Sequence, residues 1–237
     1  MNRLYVSFIL LLLSAAQIQE SFAQADSATY LDSIKTELKK EWPKNRTINL
    51  VFHGHSVPSG YFKTPFVNTL DSYPYLLLKD LKAKYPNAVV NVIITAKGGE
   101  TSVNGEKRFE SDVLIHKPDV LFIDYALNDR IMGVEKSTIA MKKMINAALK
   151  KGIKIILLTP TPHQNYNLLD TTNAYEPFAN EIKNLAKEFQ LGLADSYGAF
   201  RKKLSEGHQV TEYMSQVNHP NKEGHQVVAN EIMKWFE

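Results

Sequence analysis

The sequence predicts an α/β domain: a three-layer α/β/α sandwich built on a five-stranded parallel sheet. Two observations lead there. Apolar runs of strand length alternate with stretches of helical length, and polar or glycine and proline breaks separate them. The runs are rich in valine, isoleucine and leucine, as strands covered on both faces by helices are.

The elements follow in order. Residues 25–42 read as an amphipathic helix, with Leu31, Ile34, Leu38 and Trp42 at helical spacing. A strand is expected over 47–53 and a helix over 73–84, closed by Tyr85-Pro86-Asn87. The second strand, 88–95, has the valine and isoleucine content of one buried on both faces. A helix over 103–116 ends before Pro118, and 119–125 forms the third strand. The helix over 137–151 turns Met141, Met144, Ile145 and Ala148 inward and stops at Gly152. Strand 153–159, helix 174–189, strand 191–195 and helix 222–236 complete the pattern. Two connections, 57–72 and 160–173, are long for a compact domain and are expected to wall a substrate site.

Composition narrows the function classes. Arg3, the apolar stretch 4–16 and Ser21-Phe22-Ala23 have the order of a cleaved export signal over 1–23. Gln17, Gln19 and Glu20 follow too soon for a membrane anchor, so no stable anchor is expected after cleavage. Residues 24–237 then form one domain, with 24–45 as a helical extension, in a periplasmic or secreted protein. The chain has no cysteine, which removes any disulfide framework or lipid-modified cysteine. A net charge of +3, with no arginine-rich run, gives no footprint for nucleic acid. Oligomeric state is not written in the sequence.

Four chemically suited residues stand at strand ends or before the last helix. Ser56 follows the run Leu50-Val51-Phe52-His53-Gly54-His55, where Gly54 permits a sharp turn. As a lone serine it reads first as a turn or cap residue; as a nucleophile it needs a base beside it. Gly99 could bring a backbone N–H close to a developing oxyanion, or simply make a turn. Asn128, after Ala126-Leu127, could donate its amide to the same charge. His219, in Asn218-His219-Pro220-Asn221, could take the Ser56 proton and return it to a leaving alcohol. In an open parallel sheet such residues converge beyond the carboxyl ends of the strands.

Together these motifs resemble the SGNH, or GDSL-type, hydrolases, over about residues 47–235. The resemblance implies a flavodoxin-like α/β/α sandwich and serine-esterase activity. It matches Ser56 to the nucleophile, whose own N–H is one oxyanion donor. Gly99 and Asn128 match the other two donors and His219 the base. Three positions depart from the family pattern. His55 replaces the aspartate before the serine, and Ala126 a glycine, a modest steric change. Gln216 stands three residues before the histidine, where the family has the triad aspartate. Gln216 can orient the imidazole without charging it, which leaves a Ser-His dyad or an incomplete triad; Glu212 and Asp195 are candidates for a substitute carboxylate.

No cofactor or metal is called for. His53, His55, His163 and His225 lack the tight spacing of a zinc site, and His53 and His55 read as pocket lining. The expected partner is a small-molecule or carbohydrate ester. Tyr61, Lys63 and Asn68 in one long loop, with His163, Gln164, Asn165 and Tyr166 in the other, mix aromatic faces with hydrogen-bonding groups. That composition favours a short acyl group on a soluble carbohydrate. A glycan-binding protein without activity, an acyltransferase and a lipid esterase are the competing readings.

Overall fold

The computed structural model describes residues 24–237; the expected signal over 1–23 lies outside them. The elements run in chain order as α1 (Asp32–Leu38), β1 (Thr47–Gly54), α2 (Tyr73–Lys84), β2 (Val89–Ile94), α3 (Ser102–Lys107), α4 (Phe109–Asp112) and β3 (Val120–Asp124). Next come α5 (Val134–Leu149), β4 (Lys154–Leu158), α6 (Glu176–Glu188), β5 (Gly192–Ala194) and α7 (Ser196–Ser205). A two-stranded ribbon of β6 (Met214–Gln216) and β7 (His219–Pro220) precedes α8 (Lys222–Met233). No helix among the described residues is long and apolar enough to cross a membrane.

The five main strands pair in parallel in the order β2-β1-β3-β4-β5. The period of two along each strand divides the core. Leu50 and Phe52 of β1, with Val120 and Phe122 of β3, pack with residues of α1, α2 and α8. Val51, Leu121 and Ile123 face the other way, onto Met141, Met144 and Ile145 of α5 and Ile182 of α6. Helices therefore cover both faces, and a buried leucine such as Leu77 would cost about 2–5 kcal/mol if cut to alanine. From β1 the chain moves out to β2, then crosses back to β3 on the other side of β1. That reversal between β1 and β3 opens the crevice in which such sheets place their sites.

Several expectations need correction. β2 is an edge strand with Val89 46% exposed, because β-branched content marks a strand without fixing its place in the sheet. The single helix expected over 103–116 is broken into α3, α4 and a 3₁₀ turn at Leu114–His116. The break falls at Arg108, whose guanidinium pairs with Glu100 and Asp112. The first helix is confined to Asp32–Leu38 and leaves Trp42 84% exposed. Two elements are additional: α7, capped by Asp195 accepting from the Gly198 N–H at 3.1 Å, and the β6–β7 ribbon.

Candidate active site

Ser56 lies two residues beyond the end of β1, on a turn that Gly54 makes possible. A Cβ at Gly54 would sit 2.2 Å from the Asp124 carbonyl oxygen, so only glycine lets β1 and β3 approach so closely here. The Ser56 hydroxyl is buried at 5% exposure, with its Oγ 3.0 Å from His219 Nε2. A hydroxyl and an imidazole 163 positions apart in the chain thus come within hydrogen-bond reach, the geometry that activation of a serine requires. Burial is the largest influence on His219 and pushes its imidazole below its ordinary pKa. The Phe62 carbonyl opposes that shift, and nearby His55 reinforces it. At neutral pH the ring is therefore uncharged and ready to accept a proton.

The other ring nitrogen decides which tautomer is present. His219 Nδ1 lies 3.0 Å from the backbone carbonyl of Phe62, which can only accept, so the proton belongs on Nδ1. Nε2 then presents its lone pair to Ser56. Gln216 also touches Nδ1, with its amide nitrogen at 2.7 Å. Its oxygen accepts from the Thr64 N–H at 3.0 Å and the Thr64 hydroxyl at 3.3 Å. With the oxygen turned to Thr64, it is the NH₂ that meets the Nδ1–H, and an NH₂ cannot accept from it. Gln216 thus contacts the imidazole without satisfying it; the carbonyl of Phe62 does that.

Neither carboxylate considered as a substitute comes near. Glu212 binds His208 at 2.9 Å and closes a capping box with Gln209. Asp195 caps α7, accepts from Thr159 at 2.9 Å and pairs with Lys183 at 2.9 Å. Each is held by local donors, so both are corrected to structural roles.

Gly99 and Asn128 stand on the turns after β2 and β3. Gly99 has φ +72°, a conformation that favours glycine, and nothing lies within 4 Å of where a Cβ would be. The Asn128 amide donates to the Glu100 carbonyl at 3.1 Å, which ties the two turns together and leaves its second hydrogen free. Among the described residues the N–H groups of Ser56 and Gly99 have no hydrogen-bond partner in the protein. Donors left free in this way are the kind that a developing oxyanion needs.

The turn carrying Asn128 is braced from below by Asp129, a fully buried carboxylate. Its oxygens accept from the N–H of Ser102 at 2.7 Å, the N–H of Ala126 at 3.2 Å and the hydroxyl of Ser137 at 2.9 Å. Ala126 is the strained member, with φ +65° and Leu127 N–H bonded to the Tyr125 carbonyl at 2.7 Å. Alanine here is more than a modest steric change: it holds the left-handed backbone that glycine adopts freely.

The reading of His53 and His55 as pocket lining is also corrected, since both are completely buried. His53 bonds Thr95 and the Tyr125 hydroxyl, each at 3.0 Å, and burial lowers its pKa to about 4. His55 Nδ1 accepts from the Val57 N–H at 3.2 Å, and its Nε2 faces Asp124 Oδ1 at 3.4 Å. The other oxygen of Asp124 accepts from Tyr73 at 3.0 Å. His55 therefore pins the turn around Ser56 through the Val57 N–H, with the Asp124 carboxylate of the neighbouring strand facing its other ring nitrogen. His225 is buried as well, and Nδ1 of its ring accepts from the Tyr73 N–H at 3.2 Å.

Both long loops reach the β6–β7 ribbon that carries His219. The 57–72 loop supplies the Phe62 carbonyl and sets the Tyr61 ring 5.8 Å from the imidazole. The 160–173 loop donates the Gln164 N–H to Val217 at 2.8 Å. Phe62 escapes sequence reasoning because its contribution is a backbone atom, while Asp129 was legible only as a neighbour of Asn128.

The GDSL-like lipase/acylhydrolase family profile matches residues 52–227. Among solved structures, an acetylxylan esterase from Geobacillus stearothermophilus superposes with a TM-score of 0.70 at 20% identity, over 80% of this chain and 94% of its own. An α/β hydrolase from the metagenome of Lake Arreo, Spain, superposes at 0.69 with 21% identity, over 80% of this chain and 94% of its own. No curated protein matches the chain in sequence.

Proposed function

Because the chain belongs to the GDSL-like lipase/acylhydrolase family and is a carboxylic ester hydrolase, we propose that it removes acetyl groups from carbohydrates, with Ser56 as nucleophile and His219 as general base and acid. The single observation that carries the assignment of Ser56 is its 3.0 Å contact with His219 Nε2.

In this reading Ser56 Oγ attacks the ester carbonyl while its proton passes to Nε2. The imidazolium so formed keeps its Nδ1–H on the Phe62 carbonyl, a dipole where a triad has a carboxylate. The carbonyl oxygen becomes an oxyanion held by the N–H groups of Ser56 and Gly99 and by the Asn128 amide. Collapse breaks the bond to the alcohol, which leaves with the Nε2 proton. Water, deprotonated by His219, then releases acetate from Ser56.

The acetyl preference is supported by the fold shared with an acetylxylan esterase and by amides and aromatic rings in the two long loops. Export to the periplasm or medium is part of the proposal and rests on the residue pattern of 1–23. An organophosphonate should add to Ser56 alone, and Ser56→Ala should abolish turnover with the far-UV spectrum unchanged. With equal leaving groups, acetyl esters should be cleaved faster than octanoyl, and acetylated xylan should release acetate. Labelling of another serine would overturn the nucleophile, and faster octanoyl cleavage the acyl preference.

A further inference from the structure

Cleavage puts the leaving alcohol where His219 Nε2 can protonate it, so the sugar lies on the His219 side of the ester. That side is bordered by the 160–173 loop, fastened to the turn of the ribbon that carries His219 by the bond from Gln164 to Val217. On this loop His163 and Tyr166 pack edge to face at 5.1 Å. Tyr175 lies 5.7 Å from His163 and 5.1 Å from Tyr166. The Arg130 guanidinium lies over this cluster, its central carbon 5.4 Å from the Tyr166 ring centre and 5.8 Å from that of Tyr175. Arg130 is two residues beyond Asn128, so a cation stands between the oxyanion turn and the leaving-group wall.

The other arginines of the described residues are neutralised. Arg46 pairs with Asp119 and Glu37, Arg108 with Glu100 and Asp112, and Arg201 with Glu176. Arg130 is exposed and, among the described residues, has no carboxylate within 4.0 Å. Stacking on two rings fixes a guanidinium in place without consuming its charge. His163 adds no positive charge, because burial and then Arg130 push its imidazole below the ordinary range. Beyond Tyr166 the surface opens into a groove of about 360 Å³, bordered by the amides of Gln164, Asn165, Asn167 and Gln209. A saccharide leaving past Tyr166 would have hydrogen-bonding groups along its path.

We infer that Arg130 forms a carboxylate-recognising subsite on the leaving-group side, and that the favoured substrate is an acetylated saccharide carrying an acidic sugar near the ester. This rests on the reading of Ser56 and His219 as an ester-cleaving pair acting on acetylated saccharides. A guanidinium binds a carboxylate through two parallel hydrogen bonds, which a neutral sugar cannot reproduce.

The test compares two acetylated oligosaccharides of equal length, one containing uronic acid residues and one neutral, with 4-nitrophenyl acetate as the ester common to both readings. The ratio of kcat/KM for the acidic over the neutral oligosaccharide should be about tenfold or more for the unaltered enzyme, the scale of a charge-assisted pair. It should fall within about twofold of unity in Arg130→Gln and be partly kept in Arg130→Lys. Rising salt should erode the preference through KM. Equal rates on the two oligosaccharides, or a ratio unmoved in Arg130→Gln, would overturn the subsite and leave the acetylated-saccharide reading intact. Cleavage of 4-nitrophenyl acetate with no acetate from either oligosaccharide would overturn both.

Discussion

The Phe62 carbonyl oxygen lies 3.0 Å from His219 Nδ1, on the opposite edge of the ring from Ser56. A backbone carbonyl fixes the tautomer as a carboxylate would, but it brings no full negative charge to the imidazolium. Gln216, beside the same nitrogen, has its acceptor oxygen turned to the Thr64 N–H, so that its NH₂ donor meets the Nδ1–H donor of His219.

A glutamate at 216 has two acceptor oxygens and resolves that conflict. Gln216→Glu should therefore raise kcat and move the acidic limb of the kcat/KM profile to higher pH, because a neighbouring carboxylate raises the imidazole pKa. In the unaltered enzyme the limb should lie below about 6.5, the free imidazole value, since His219 is shifted downward. Gln216→Ala should cost far less than His219→Ala. A pH profile identical in Gln216→Glu and the unaltered enzyme would contradict the assignment.

Asn128→Ala should lower kcat by about a hundred- to a thousandfold with little change in KM, the scale for one lost oxyanion donor. Steady-state kinetics on an acetyl ester decides it, since a change confined to KM would make Asn128 a ground-state contact.

Ala126→Gly relieves a residue held at φ +65°. Strain of this kind is worth about 1–3 kcal/mol, and the greater freedom of glycine in the unfolded chain returns up to about 1 kcal/mol. Denaturant unfolding should show a small net gain in stability with activity retained. Loss of stability would mean that the alanine methyl makes packing contacts worth more than the strain.

Glu181 bears on stability alone. Burial raises its carboxyl to about 7, although Thr138 donates to one oxygen at 2.9 Å. The folded state therefore holds a proton that the unfolded chain releases near 4.5, and stability falls as pH rises from about 4.5 to 7. Glu181→Gln should add on the order of 1–2 kcal/mol at pH 8, a Tm increase of about 2–8 °C, and little at pH 4.5. Thermal unfolding at the two pH values checks it, and an equal Tm change at both would exclude Glu181 as the titrating group.

Much of this was legible because it is written in short-range pattern. The alternation of apolar runs with helical stretches specified five parallel strands, and Ser56, Gly99, Asn128 and His219 were visible as single residues at the ends of those patterns. What was not legible depends on distant contacts. The Phe62 carbonyl looks like every other carbonyl until the fold carries it to His219. The break at Arg108 coincides with an ion pair to Glu100, outside the helix, rather than with a helix-breaking residue at that position. The two buried histidines were misassigned because an alternating strand end gives direction but not depth. The α7 helix announced itself only by the Asp195 cap and a weak apolar pattern.

His219 stands on a ribbon whose strands are three and two residues long, too short to hold an aim by themselves. Its bearings are the Phe62 carbonyl on one side and the Gln164–Val217 bond on the other, both made by the loops that border the cleft. In the proposed function, the loops that would meet the substrate also aim the base. An exchange of either loop with a relative, made to alter what the enzyme accepts, would also turn the imidazole, and its first casualty would be turnover. New specificity in this scaffold is more safely sought by single side-chain changes that leave those two backbone contacts in place.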